Sequence, residues 1–243
     1  MHAKSAKELE AQWTSTSWFR SSREPPHRYH APNLRLRRTL SWLDRAEQEY
    51  CRRDEVDEDA GFIFYWIAFN SAYGQLGSAW SDPERESESF KTYLEKIIHC
   101  DYQAIKEAIF PELVHQIRTF VNNKYVYQPF WTHHNREQGH HQDWERGYRS
   151  NTEAVLRALS QGSPTVLREL FYRLYTLRNQ LLHGGATWKS SVNRHQVEAG
   201  ARIMSSLVPH FIEVMIEHPN DWGPPRYPVV QERGPQSGWT GTG

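Results

Sequence analysis

Apolar positions recur at helical spacing along most of the chain. Leu36, Leu40, Leu43 and Tyr50 follow Asn33, a residue type suited to capping a helix, with Arg35, Arg37, Arg38 and Arg45 on other faces. The acidic run Asp54 to Asp59 stands where the positive end of a following helix favours negative charge. From Phe62 to Phe69 the chain is apolar all round and continues through Asn70, Ala72 and Tyr73 to Gly74 and Gly77. That pattern predicts a buried central helix with a glycine stop, and a buried strand is the competing reading. Phe90, Tyr93, Leu94, Ile97 and Ile98 outline another amphipathic helix, Ile105 to Ile109 a short successor, and Pro111 restarts the pattern at Leu113, Ile117 and Phe120.

Periodicity is lost over residues 126–150, which gather His133, His134, His140 and His141 with Trp131 and Trp144 and read as a histidine-rich insertion or long loop. Helical signal resumes at Thr152 to Leu159. Ser163-Pro164 offers a cap and a first-turn proline to a helix from Thr165 to His183, which Gly184-Gly185 stop. A last helix runs from about Arg194 to Glu217, with Val197, Ala201, Met204, Leu207, Val208, Phe211, Val214 and Met215 inward. Residues 1–32 read as a polar, flexible N-terminal arm: Trp13, Trp18 and Phe19 lie among Arg20, Arg23 and Arg28, and Pro25-Pro26 interrupts any helix. Residues 219–243 hold five Pro and five Gly, a tail composition. No strand pair, hairpin turn, repeat or glycine-rich phosphate loop stands out, so the expected class is all-α, with the helical domain over 33–218.

Composition narrows the function classes. Lys+Arg and Asp+Glu both number 29, so no chain-wide basic field advertises a nucleic-acid partner and any such contact must be local. Ten Trp, ten Phe and twelve Tyr supply large units for a core. The longest apolar run is far short of the roughly 20 residues of a membrane helix, and Met1 to Gln12 has no apolar signal segment, so no membrane contact is expected. Cys51 and Cys100 read as ordinary thiols, too few for a disulfide framework or a four-thiolate metal site, and the cytoplasm is the expected compartment.

Candidate chemistry gathers on the helix from Thr165 to His183. At about 100° per residue, Leu170, Leu174, Leu177 and Leu181 form one stripe, a core face, while Glu169, Arg173, Thr176 and Gln180 form an ordinary solvated sector. The remaining arc mixes Arg168, Phe171, Tyr172, Tyr175, Arg178, Asn179, Leu182 and His183. Such an arc needs a partner: another helix, a second subunit or a ligand. Asn179 and His183 share a face, and Arg178 can direct its guanidinium to the same cleft. His183 falls in the last turn, where the macrodipole favours imidazolium, which suits acid/base work near neutral pH. The plainer alternative is that Arg178 bonds terminal carbonyls and His183 merely ends the helix. From Thr165 to Ser205 six Lys/Arg stand against two Asp/Glu, a local net charge of +4 that an ordinary solvated helix pair also shows.

The run Arg178-Asn179-Gln180-Leu181-Leu182-His183 resembles the Arg-x4-6-His signature of the HEPN superfamily, in its form with Asn after Arg. Phe62 to Gly74 is similar to the central helix of the bacterial Apea-like HEPN proteins. The resemblance covers roughly Asn33 to Glu217. It implies a helical bundle that dimerises with its Arg/His helices facing, and, in many members, a metal-independent endoribonuclease of toxin, antiviral or RNA-processing systems that needs no cofactor. On that reading Arg178 binds a phosphate oxygen, His183 moves protons and Asn179 orients one or the other. Attack by the ribose 2′-OH restricts cleavage to RNA and leaves a 2′,3′-cyclic phosphate. Arg168, Tyr172 and Tyr175 are candidates to hold RNA, with packing the competing role for each tyrosine, and Asn70 and Tyr73 are candidates to line the cleft, with burial and end-capping explaining them equally well. The resemblance equally admits a non-catalytic module that binds nucleic acid or a protein such as a nucleotidyltransferase-type antitoxin. His133, His134, His140, His141 and Asp143 are suitable ligand types, but adjacent histidines point apart in regular structure, so no metal site is expected there.

Overall fold

The computed structural model describes residues 3–21, 31–51, 55–74, 83–109, 112–136, 143–163, 165–192, 194–223, 225 and 227. Among them run α1 (Ala6–Ser15), α2 (Ser17–Ser21), α3 (Ala31–Tyr50), α4 (Glu58–Tyr73), α5 (Pro83–Cys100), α6 (Tyr102–Ile109), α7 (Val114–Val121), α8 (Gln128–His134), α9 (Trp144–Ser160), α10 (Val166–Leu182) and α11 (Arg194–Glu217). Two 3₁₀ turns, Lys124–Val126 and Pro219–Asp221, complete the elements, and no β-strand occurs among the described residues. The all-α class is therefore observed. No helix among the described residues is long and apolar enough to cross a membrane.

The centre of the bundle is α4, packed chiefly on α3 and α11. Asp57 caps it, its side chain accepting from the Ala60 amide at 2.9 Å, with Glu58 and Asp59 in the first turn. Phe62, Tyr65, Trp66, Phe69 and Tyr73 are buried, each contributing on the order of 2 kcal/mol of transfer free energy. Phe69 joins them to the other helices, with ring centroids 4.6 Å from Phe171 of α10 and 6.2 Å from Phe211 of α11. Gly200 lets α11 close on this centre: a Cβ there would stand 2.7 Å from Leu177 Cδ2 and 3.2 Å from Phe62. The helix, not the strand, is the correct reading of Phe62 to Phe69.

Four expectations need correction. Residues 6–21, expected as an arm, are docked helix: Ser5 and Glu8 form a capping box, and Leu9 and Trp13 enter the core against α3 and α11. Trp18 follows them, its indole N–H donating to the Ile216 carbonyl at 3.2 Å. Second, α3 starts at Ala31, so Asn33 lies inside it, and Arg35, placed on a face other than the apolar one, is buried. The Arg35 guanidinium donates to Ala72 O at 2.7 Å, one of the carbonyls that α4 leaves unpaired at its end, and to Gly223 O at 2.6 Å. Burial pushes its pKa down to about 10. Third, the first tail residues are fastened by that bond and by Trp222, buried with its ring 5.5 Å from Tyr93.

Fourth, 126–150 is largely helical: α8 and the first turns of α9 belong to it. The 3₁₀ turn Lys124–Val126 and α9 cover the middle of the α10 sector expected to be solvated. Arg173 is only 2% exposed, and Thr176 is equally buried. Arg173 donates to Asn151 Oδ1 at 2.7 Å and Thr152 Oγ1 at 3.0 Å, and its guanidinium lies between the rings of Tyr127 and Tyr148 at 5.1 and 5.3 Å. The expectations resting on Arg23, Arg28, Pro25-Pro26, Gly77, Pro111, His140, His141, Pro164 and residues 228–243 lie outside the described residues.

Candidate active site

The C-terminal end of α10 closes with a full Schellman motif: Gly184 N–H bonds Leu181 O at 3.4 Å and Gly185 N–H bonds Gln180 O at 2.7 Å. Gly184 takes φ +72°, a region other residues rarely adopt, and a Cβ on Gly185 would come 3.0 Å from Gln180 O. The two glycines thus set where the chain turns. Their result is an exposed His183 whose backbone N–H still bonds Asn179 O at 3.0 Å.

His183 and Asn179 line one cleft of about 460 Å³. Its other walls come from α8 (Gln128, Trp131), the first turns of α4 and α11 (Asp59, Arg194, Gln196), and the loop 185–192. The structure joins Arg178 to this pair through Asn179, whose Oδ1 accepts from Arg178 Nη1 at 2.8 Å. The guanidinium itself lies over the Tyr175 ring at 5.5 Å and does not line the cleft. The helix end therefore assembles Arg178, Asn179 and His183, with the arginine stored against an aromatic face beside the opening.

The remaining expected residues lie elsewhere. Arg168 is about 22 Å along the helix axis from His183, beside Glu169 at 3.5 Å. Tyr172 and Tyr175 pack on Phe90 at 5.3 and 5.9 Å, and Tyr175 also lies 6.1 Å from Trp66. Both tyrosines line a second cavity of about 510 Å³ that shares Gln128, Thr176 and Asn179 with the His183 cleft, so Asn179 stands where the two openings meet. Tyr73 is buried against Phe69, Phe90 and Tyr93, and neither it nor Asn70 lines the His183 cleft. Phe171 is fully buried in its own bundle and so is removed from the arc expected to seek a second subunit.

The sequence analysis missed Asp59 and Arg194. Arg194 Nη1 donates to Asp59 Oδ2 at 2.6 Å, and the Lys189 amide approaches the same oxygen at 3.4 Å. This largely buried pair forms the wall away from α10, fixing the loop that follows His183 to the start of α4. Asp59 carried a local signal only as a first-turn helix acid. Gln196 and Gln180 continue the wall, linked at 3.3 Å. Trp188, 66% exposed, stands on the same loop with its indole N–H donating to Asp57 Oδ2 at 2.9 Å. No family model, curated protein or solved structure matches the chain.

Proposed function

We propose that the protein is a metal-independent endoribonuclease of HEPN type that acts in a toxin or defence role. The observation that carries this reading is an exposed imidazole carried at a helix end, in one cleft with an asparagine that holds a guanidinium. His183 takes the proton of a ribose 2′-OH as its oxygen attacks the neighbouring phosphorus. The new O2′–P bond gives a 2′,3′-cyclic phosphate, the P–O5′ bond breaks, and a protonated imidazole returns a proton to the departing 5′ oxygen. Arg178 turns from the Tyr175 ring onto a phosphate oxygen and stabilises the charge gathering there. Because the substrate supplies its own nucleophile, no activated water is required.

Support for an RNA substrate also comes from aromatic surface at the opening: Trp131 in the wall and exposed Trp188 on the adjoining loop suit stacking of unpaired bases. Leu182 is 46% exposed beside the site and offers apolar surface for a second copy, which would bring two His183 imidazoles to one strand. An antitoxin or other partner protein could cover the same surface.

The test is RNA cleavage in EDTA by wild type and His183→Ala. Cleavage by wild type alone, with cyclic phosphate ends, is expected; 3′-hydroxyl products or strict Mg²⁺ dependence overturn the mechanism. The stored position of Arg178 favours one alternative, a non-catalytic HEPN-like module that binds nucleic acid or a partner protein. That reading predicts RNA binding without cleavage in the same assay.

A further inference from the structure

Far from α10 in the sequence, three side chains of metal-binding type meet. Cys100 ends α5, His218 follows α11, and Asp221 ends the 3₁₀ turn Pro219–Asp221. Their ligand atoms all lie within 4.8 Å of one another, and Cys100 Sγ is 3.7 Å from Asp221 Oδ2. Around a tetrahedral zinc-type ion with metal–sulfur and metal–oxygen bonds of about 2.3 and 2.1 Å, that sulfur and oxygen would stand about 3.6 Å apart. The sulfur–oxygen spacing is therefore already close to what a shared ion demands, and His218 lies within reach of both atoms.

The supports are fixed by contacts unrelated to an ion. Trp222 is buried against Tyr93, next to Asp221 in the chain. Gly223 O is held by Arg35, the His218 amide bonds Val214 O at 3.0 Å, and the Asp221 amide bonds His218 O at 3.3 Å. Asp221 therefore reaches Cys100 from a backbone that packing has set.

We propose that Cys100, His218 and Asp221 bind one divalent transition-metal ion of zinc type, which clamps the end of α5 to the segment after α11. The thiol gives up its proton to solvent as the S–metal bond forms, neutral imidazole and carboxylate supply the other two bonds, and water from the exposed side completes four-coordination. Soft sulfur with imidazole selects zinc-type ions over Mg²⁺ or Ca²⁺. None of the three residues lines the His183 cleft, so this site is independent of the proposed RNA chemistry.

Co²⁺ titration of the chelator-treated full chain tests it. The chain has only two cysteines, so a thiolate-to-cobalt charge-transfer band must come from Cys51 or Cys100. The expected result is a band saturating at one equivalent, displaced by Zn²⁺, retained in Cys51→Ser and lost in Cys100→Ser, with Asp221→Asn and His218→Gln each weakening affinity at least about 10-fold. Zn²⁺ should also shield Cys100, and not exposed Cys51, from alkylation in the wild type, a readout that needs no variant to fold. A Kd weaker than roughly 10⁻⁴ M, a band that survives Cys100→Ser, or equal alkylation of Cys100 with and without Zn²⁺ overturns the proposal. Chelation should lower the melting temperature while leaving RNA cleavage unchanged, so the two proposals fail separately.

Discussion

Arg173 and Arg178 lie little more than one turn apart on α10, yet one is sealed into the bundle and the other is kept at its rim. Arg173 faces α9 and has two hydrogen bonds and two aromatic faces around its guanidinium, and burial lowers its pKa. Arg178 lies over the Tyr175 ring and donates to Asn179, which lines the His183 cleft. A charge boxed by neutral partners cannot approach a ligand without dismantling the box. A half-buried charge over a ring face can be turned toward a phosphate without opening the core. The same residue type is thus architecture in one place and, on the proposed function, chemistry in the other.

The largest expected effect tests the available end. His183→Ala should lower RNA cleavage by roughly 10²- to 10⁴-fold with an unchanged melting temperature, because an exposed side chain contributes little packing. Equal cleavage by both proteins would remove the distinction. Arg173→Ala should act the other way, lowering unfolding free energy by about 2–4 kcal/mol in denaturant titration as Asn151 and Thr152 lose their donor and Tyr127 and Tyr148 their filling.

Arg178→Lys sharpens the comparison, since it keeps the charge and removes the planar fork. Cleavage should fall about 10-fold with little change in stability, whereas a matching loss of stability would make Arg178 a second Arg173. Gly184→Ala should cost about 1 kcal/mol, because φ of +72° strains any residue with a Cβ even where no neighbour stands in its way. The smallest effect on protomer stability, within about 0.5 kcal/mol, is expected for Leu182→Glu. If exposed Leu182 serves a two-subunit site, this variant should dissociate on dilution in light scattering and lose cleavage in step; a fully active monomeric wild type would rule that site out.

Much of α10 is legible from spacing. The leucine stripe is buried as expected, apart from half-buried Leu181, and the glycine pair ends the helix where the pattern stops. What spacing conceals is coverage. Arg173 and Thr176 have the residue types of a solvated sector, and only the placement of α9 and the 3₁₀ turn Lys124–Val126 makes these two interior. The helical part of 126–150 escapes detection because its aromatic and histidine side chains pack on one another without a simple period: Phe130 stacks on His134 at 5.7 Å and lies 5.0 Å from Trp144. The Ser5 and Glu8 capping signature was readable, and the polar surroundings of Trp13 masked it.

By itself the sequence determined the all-α class, the apolar centre at Phe62 to Tyr73 and the helix end that carries Arg178, Asn179 and His183, because each follows from local periodicity and from glycine's freedom at positive φ. Only the tertiary structure decided which polar groups meet across the bundle. Asp59 comes to Arg194 from 135 positions away, Asp221 to Cys100 from 121, and Gly223 to Arg35 from 188. Such pairings are set by how helix faces pack, an outcome of the summed burial of distant residues that no local pattern encodes.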